Sequence, residues 1–284
     1  MPYDTADLVR LDTYPIHELQ SQTGQALVAR CRQLLQETAC CSLPCFVSEA
    51  ALAKLIEESR EVTKSAYYSE CGTNVYFSED DPNLPANHPQ RIFLNRTSAF
   101  VPADAIPADT AMRALYKSPY LMPFVRACLN EQDLYEYDDP LADVIVNVVD
   151  PGQEFPWHFD TNEFSISLMT QTAEKGGLFE FVSNLRSGDD ENYRGVTAVL
   201  QGDRSQVRTL DLKPGDLQIF KGRHTLHRVT KVEGNRPRYI AIFSYAKQPG
   251  MVGRVERMRQ LYGKVLPVHI EAEKAINRAD SLTD

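Results

Sequence analysis

The sequence predicts an α+β protein with a mainly β core, in which helices precede and follow a set of short strands. Apolar residues in the first half recur at helical spacing, whereas the second half alternates β-branched or aromatic runs with turn residues. A chain of 284 residues, 43% of them hydrophobic, can form one sizeable core. We therefore expect a single domain, with a mainly helical buttress over 1–130, the β core over 131–250 and C-terminal helices over 251–284.

The helices of the first half have recognisable starting points. A stripe of leucines predicts a helix between residues 16 and 40, and Ser48 is a suitable N-cap for a second helix. Pro107 and Pro119 stand where a first-turn proline opens a helix, and each precedes a short apolar segment. Helices alone are expected before the sheet.

The second half begins with a β-branched run over 144–149, which predicts a buried strand followed by a Pro-Gly turn. Further strands are predicted over 164–170, 178–182, 207–212, 217–220, 224–229 and 238–246. The polar segment 183–206 is too irregular for a strand and is expected to be a lid or disordered. Many short strands separated by turns are typical of a sandwich or jelly roll.

The composition argues against several classes of partner. The net charge is −9 and no run is rich in lysine or arginine, so nucleic acid is not an expected partner. No apolar run approaches the roughly 20 residues that span a bilayer, and the N-terminus does not resemble a signal peptide. We expect a cytoplasmic protein whose six cysteines are free thiols without a role in the chemistry. Nothing in the sequence indicates an oligomeric state.

A short motif in the β half has the composition of a metal site. His158 and Asp160 are two residues apart, so in an extended segment their side chains point the same way, while Trp157 and Phe159 point into the packing. His227, on a later strand, supplies a second imidazole. Two imidazoles and one carboxylate form a facial triad that holds iron and leaves positions open for a co-substrate and dioxygen.

Alternatives to this interpretation are open at the level of residues. A His-x-Asp spacing arises by chance, and a lone histidine is more often packed or solvated than a ligand. His224 competes with His227 because it lies three residues away. We prefer His227, which lies within a strand pattern, because His224 adjoins the turn at Gly222.

Several segments together resemble the Fe(II)/2-oxoglutarate-dependent dioxygenase superfamily over residues 143–246. They are the run from Asp150 to Asp160, Pro214-Gly215-Asp216-Leu217, Leu226-His227-Arg228-Val229 and a downstream arginine. The resemblance implies a double-stranded β-helix fold, with Fe(II), 2-oxoglutarate and O2 as cofactor and co-substrates. It also implies oxidative decarboxylation to succinate and carbon dioxide, coupled to hydrogen abstraction from a substrate.

In that superfamily a basic residue on the strand after the distal histidine binds the far carboxylate of 2-oxoglutarate. Arg236 and Arg238 are both candidates, and a guanidinium can hold a carboxylate through two parallel hydrogen bonds. We favour Arg238, which directly precedes a strand, because Arg236 precedes Pro237 and is expected in the turn. Asn147, on the strand before the metal motif, is a second candidate for co-substrate contact.

The resemblance also bears on the reaction and the substrate. Related halogenases replace the carboxylate ligand by a small residue, so Asp160 disfavours halogenation and favours hydroxylation, desaturation or cyclisation. Thr161, Asn162 and Arg186 are the candidate substrate residues. We expect a small carboxylate or amino-acid-like metabolite, oxidised in a biosynthetic pathway. The alternatives are a protein or peptide side-chain hydroxylase of the same superfamily and a non-catalytic β-barrel binding protein.

Overall fold

A computed structural model describes residues 3–274 together with 282 and 283. Its α-helices are α1 (Thr5–Leu8), α2 (Gln22–Thr38), α3 (Glu49–Val62), α4 (Ala111–Tyr116), α5 (Leu121–Leu129), α6 (Tyr193–Leu200), α7 (Val255–Tyr262) and α8 (Pro267–Glu273). Its β-strands are β1 (Cys40–Leu43), β2 (Tyr67–Tyr68), β3 (Cys71–Thr73), β4 (Leu94–Arg96), β5 (Ala99–Val101), β6 (Tyr135–Glu136), β7 (Val144–Val149), β8 (Phe155–His158), β9 (Ser165–Gln171), β10 (Lys175–Gly176), β11 (Phe179–Val182), β12 (Arg208–Leu210), β13 (Leu217–Phe220), β14 (Leu226–Val229), β15 (Val232–Glu233), β16 (Arg238–Phe243) and β17 (Tyr245–Ala246).

The larger sheet has seven antiparallel strands in the order β1-β13-β9-β16-β7-β5-β2. All six residues of β7 are buried, as its β-branched sequence predicts for a strand covered on both faces. Val146 and its alternate neighbours pack into the core beneath the helices, whereas Ile145 and Asn147 face a cavity. This alternation places polar Asn147 inside the protein without breaking the apolar core.

A second, four-stranded antiparallel sheet has the order β12-β11-β14-β8. In the pairing of β14 with β8, His227 lies directly opposite His158, and the register shifts between His227 and Val229. The cavity lies between the two sheets, since residues of β7, β9, β13 and β16 line it together with residues of β8, β11 and β14.

Helices α2 to α5 cover the outer face of the seven-stranded sheet. Ser48 accepts a hydrogen bond from the amide of Ala51 and caps α3, as the sequence predicts. Pro123 lies in the first turn of α5, where an amide needs no partner within the helix, so it does not break that helix. Fully buried residues such as Leu55 and Phe124 each stabilise this layer by roughly 1.5–3 kcal/mol.

The expectation that helices alone precede the sheet is wrong. Strand β1 forms one edge of the seven-stranded sheet by pairing with β13, and β5 and β2 extend the opposite edge. These strands have two to four residues, which is too short for a visible two-residue period. Pairing with distant strands, rather than local pattern, makes them extended.

The segment 183–206 is also different from the expectation. It contains α6, whose N-cap Asn192 accepts a hydrogen bond from the amide of Gly195. Val196 of α6 packs into a cluster with Trp157 and Phe159. The segment therefore contains a helix that packs behind β8. No helix among the described residues combines the length and apolar composition that crossing a membrane requires.

Candidate metal centre

Three side chains converge where β8 ends and β14 begins. One ligand atom from each of His158, Asp160 and His227 lies within 4.8 Å of the other two. Asp160 Oδ1 is 3.8 Å from His158 Nε2 and 3.4 Å from His227 Nε2. Ligand atoms that bind one ion at about 2.1 Å and at right angles are roughly 3 Å apart. Small rotations therefore suffice for all three to bind a single ion.

Both imidazoles are already oriented for a shared metal position. Nδ1 of His158 donates to the carbonyl of Pro156 (2.8 Å), and Nδ1 of His227 donates to that of Thr225 (2.9 Å). This turns Nε2 of each ring toward Asp160. Burial, and then the neighbouring His227, lower the pKa of His158 well below its ordinary value. The His158 ring is therefore neutral at physiological pH and available as a ligand.

The carboxylate is held by Ser165 and Gly222, two residues outside the sequence motif of the metal ligands. Ser165 Oγ donates to Asp160 Oδ2 (2.9 Å), which turns Oδ1 toward the imidazoles. Burial raises the pKa of Asp160, but the two imidazoles and Ser165 together outweigh burial and hold the pKa below its ordinary value. The amide of Asp160 donates to the carbonyl of Gly222 (3.2 Å). A Cβ at Gly222 would lie 1.9 Å from Asp160 Oδ2.

Aromatic rings fix the orientation of both imidazoles. Phe155 stacks on His158, with ring centroids 3.9 Å apart and planes inclined by 12°. Phe220 presents its ring to His227 edge-to-face at 4.8 Å. Such contacts restrict the rings and keep water away from them. Trp157 lies on the opposite side of β8, in the cluster with Val196, as the alternation along a strand predicts.

The three side chains open into a cavity of about 150 Å³, roughly ten times what a single water needs. Arg238 lines the same cavity and is only 2% exposed. Its Nε and Nη1 have no hydrogen-bond partner among the described residues, and burial lowers its pKa to about 10. A buried guanidinium without a partner is costly, so this position fits an anion. Arg236, by contrast, is exposed and donates to the carbonyls of Thr172 and Ala173.

The remaining candidate residues divide between the cavity and the packed interior. Asn147, Thr161 and Asn162 line the cavity, and Asn147 Nδ2 also donates to the carbonyl of Ala99 (3.2 Å). His224 lies in a 3-10 helix before β14 and does not belong to the metal-binding group. All six cysteines are free thiols.

The structure does not place Arg186 in the cavity, where substrate contact would require it. Its Nη1 pairs with Glu191 (3.0 Å), and its Nε donates to the carbonyl of Arg223 (2.7 Å). The guanidinium lies 4.0 Å above the ring of Phe159, on the side of β8 that faces away from the metal-binding group. Arg186 is therefore a packing residue, and the expectation that it contacts the substrate is not supported by its position.

Solved structures of low sequence identity share this fold. The epimerase SnoN, in complex with Fe3+, alpha ketoglutarate and nogalamycin RO, has a TM-score of 0.54 at 15% identity over 78% of this chain and 84% of that chain. AviO1 from Streptomyces viridochromogenes has a TM-score of 0.54 at 15% identity, over 79% and 96%. HygX from Streptomyces hygroscopicus, with nickel, 2-oxoglutarate and hygromycin B bound, has a TM-score of 0.50 at 13% identity, over 76% and 86%.

The fold and the motif together place the chain in the 2-oxoglutarate–Fe(II) oxygenase superfamily, which confirms the resemblance seen in the sequence. Within it, the model of the Halogenase D family (HalD) matches residues 23–263, so the chain belongs to that family. The search of curated proteins found no match.

Proposed function

We propose that this protein couples the oxidative decarboxylation of 2-oxoglutarate at a single ferrous ion to oxidation of a small carboxylate or amino-acid-like metabolite. One observation supports this most strongly: two imidazoles and a carboxylate share a cavity with a buried arginine that has no partner for its Nε and Nη1 among the described residues. A facial set of two histidines and one carboxylate suits ferrous iron. A single guanidinium suits the far carboxylate of a keto-diacid.

Each residue then has a defined task. His158, Asp160 and His227 would hold the ion on one side and leave its other side open to the cavity. Arg238 would bind and orient the co-substrate, with Asn147 beside it. A bound ferrous ion supplies the redox chemistry that couples dioxygen to decarboxylation.

The surroundings of the ion would favour oxidation of the intended substrate. Phe155 and Phe220 exclude water from the imidazoles. Thr161 and Asn162, which follow Asp160 in the chain, contribute polar residues to the cavity lining. We assign them to substrate contact, since ligand pockets combine an apolar wall with a few placed polar groups.

The family name raises halogenation as a second reaction. A halide bound to iron would need the position that Asp160 fills, and Asp160 here is anchored by Ser165 and accommodated by Gly222. A second anion in that place would be repelled by the carboxylate. We therefore propose hydroxylation as the outcome, with desaturation or cyclisation as variants that begin with the same hydrogen abstraction.

Spectroscopy and product analysis test the reaction. Anaerobic addition of Fe(II) and 2-oxoglutarate is expected to produce a weak visible charge-transfer band, which His158→Ala abolishes. Amino acids and related carboxylates are then screened for succinate release in buffers with and without chloride. A product heavier by one oxygen, formed equally in both buffers, is expected. A chlorinated product would contradict the proposed outcome, and a protein that binds neither iron nor 2-oxoglutarate would refute the function.

The two neighbouring arginines provide a matched pair of variants for the co-substrate site. Arg238→Gln removes a charge-assisted interaction worth about 2–3 kcal/mol, so the Kd for 2-oxoglutarate should rise roughly 30- to 150-fold. Arg236→Gln removes the same charge at an exposed position and should change that Kd less than about threefold. Equal effects of both variants in isothermal titration calorimetry would contradict the assignment of Arg238.

A further inference from the structure

A second arginine lines the cavity and has no role in the proposed chemistry. Arg257, on α7, is half-buried and reaches the cavity that Arg238 also lines. Its guanidinium lies 3.5 Å from the centre of the Phe77 ring, and that ring lies 5.5 Å from the ring of His158. Arg257 also interacts electrostatically with Asp160. The guanidinium is therefore a neighbour of the metal-binding group.

Arg257 forms no ion pair within the part of the chain that the structure describes. Among the described residues no carboxylate lies within ion-pair distance of it, and its hydrogen bond to Gln260 Oε1 is long, at 3.4 Å. Burial, and then the like charge of Arg96, together lower its pKa to about 9. A ferrous ion, the Asp160 carboxylate, a 2-oxoglutarate dianion and Arg238 would together be neutral. The charge of Arg257 would remain uncompensated even in a loaded site.

We propose that Arg257 binds a carboxylate of the substrate, while Arg238 binds the co-substrate. This inference rests on the function proposed above. The geometry favours a carboxylate over a phosphate. Arg257 offers one planar fork stacked on an aromatic ring, which matches the two oxygens of a carboxylate. The neighbouring Arg96 already donates to Ser69 Oγ (2.6 Å) and to the carbonyl of Gln260 (2.8 Å), so it does not complete a phosphate site.

The cavity wall beside Arg257 indicates what the rest of the substrate resembles. Met258 and Leu261, on the same helix, and Phe100, on β5, line the cavity and are otherwise buried among apolar neighbours. A carboxylate held by Arg257 would thus belong to a molecule with an apolar body. Amino acids with aliphatic or aromatic side chains have this combination.

The test uses the twenty proteinogenic L-amino acids, each paired with its carboxamide. Binding is measured by anaerobic titration calorimetry to protein loaded with Mn(II) and 2-oxoglutarate, so no turnover is needed. At least one apolar amino acid should bind at least about 30-fold more tightly than its amide, because the amide cannot form the charge-assisted pair. Arg257→Gln should raise the Kd of the acid by about 30-fold and make acid and amide equal within threefold. Arg257→Lys should retain part of the preference.

Arg259→Gln is the matched control, since Arg259 lies on the same helix, is exposed and pairs with Glu256. It should leave acid binding within threefold of the unchanged protein. Circular dichroism of each variant establishes that it is folded, and Arg257→Lys carries the test if Arg257→Gln is not.

Several outcomes would overturn the inference. One is a preference for the amino acid over its carboxamide that survives Arg257→Gln. Another is the absence of any such preference in the unchanged protein. A third is a loss of 2-oxoglutarate binding in Arg257→Gln that parallels the loss of amino-acid binding, which would assign Arg257 to the co-substrate. Failure of the unchanged protein to bind 2-oxoglutarate would instead refute the proposed function, and the inference with it.

Discussion

Replacing Gly222 by alanine tests how the carboxylate of the candidate centre is positioned. The added Cβ would lie 1.9 Å from Asp160 Oδ2, 2.5 Å from Cγ and 2.8 Å from Cβ. All three atoms belong to one side chain, so a small movement of its tip cannot relieve the overlap. Either the Asp160 side chain leaves its position or the backbone at Gly222 moves away from it.

The distances set the size of the effect. Asp160 must withdraw by about 1 Å or more, and filling a packed site in this way costs about 1–3 kcal/mol of stability. If the carboxylate rotates away, the protein loses the hydrogen bond from Ser165 instead, which is worth about 1.5–3 kcal/mol for a charged acceptor. Displacement of a ligand or its support lowers metal affinity about 10- to 100-fold. An error of 1 Å can reduce turnover on the order of 100-fold.

Two measurements separate these effects. Thermal unfolding of the metal-free protein reports stability, and calorimetric titration with Mn(II) in the presence of 2-oxoglutarate reports metal affinity. Gly188→Ala is the control, because a Cβ there meets nothing within 4 Å. The double variant Gly222→Ala/Asp160→Gly removes the overlap. Its stability should equal that of Asp160→Gly alone. Its metal affinity should stay below that of the unchanged protein, because the Asp160 carboxylate is absent.

The result that would refute this reasoning is a Gly222→Ala protein whose metal affinity lies within threefold of the original and whose melting temperature is unchanged. A loss of stability that persists in full in the double variant would also count against it, because the overlap would then not lie with Asp160.

Two further predictions concern stability. Arg186→Ala breaks a buried ion pair with Glu191 and removes packing on Phe159. It should lower the free energy of unfolding in urea by about 3–5 kcal/mol and leave the Kd for 2-oxoglutarate unchanged. An unchanged free energy of unfolding would contradict the packing role of Arg186. The pKa of His158 is lowered in the folded protein, so below about pH 6.5 the unfolded state binds more protons than the folded state. The free energy of unfolding of the metal-free protein should therefore fall by up to about 1.4 kcal/mol per pH unit as the pH drops. Urea denaturation at pH 7 and pH 5.5 should show a smaller decrease for His158→Gln than for the exposed-site control His17→Gln, and identical decreases would contradict the prediction.

The sequence by itself determined the superfamily and the central strands of the sheet. The run 144–149 is β-branched throughout and forms β7 as predicted. His158 and Asp160 could be placed on one side of the chain because alternate residues of an extended segment face the same way. These conclusions depend on neighbours in sequence, where periodicity and short motifs are visible.

Only the tertiary structure decided which distant residues meet. Arg186 and Arg257 are both arginines in segments that follow the motif, yet the first packs behind Phe159 and the second reaches the cavity. The contact of Gly222 with Asp160, and the short strands of the first half, likewise arise from pairing between distant segments. Sheet register and helix packing fix such contacts, and a one-dimensional pattern carries no signal for them.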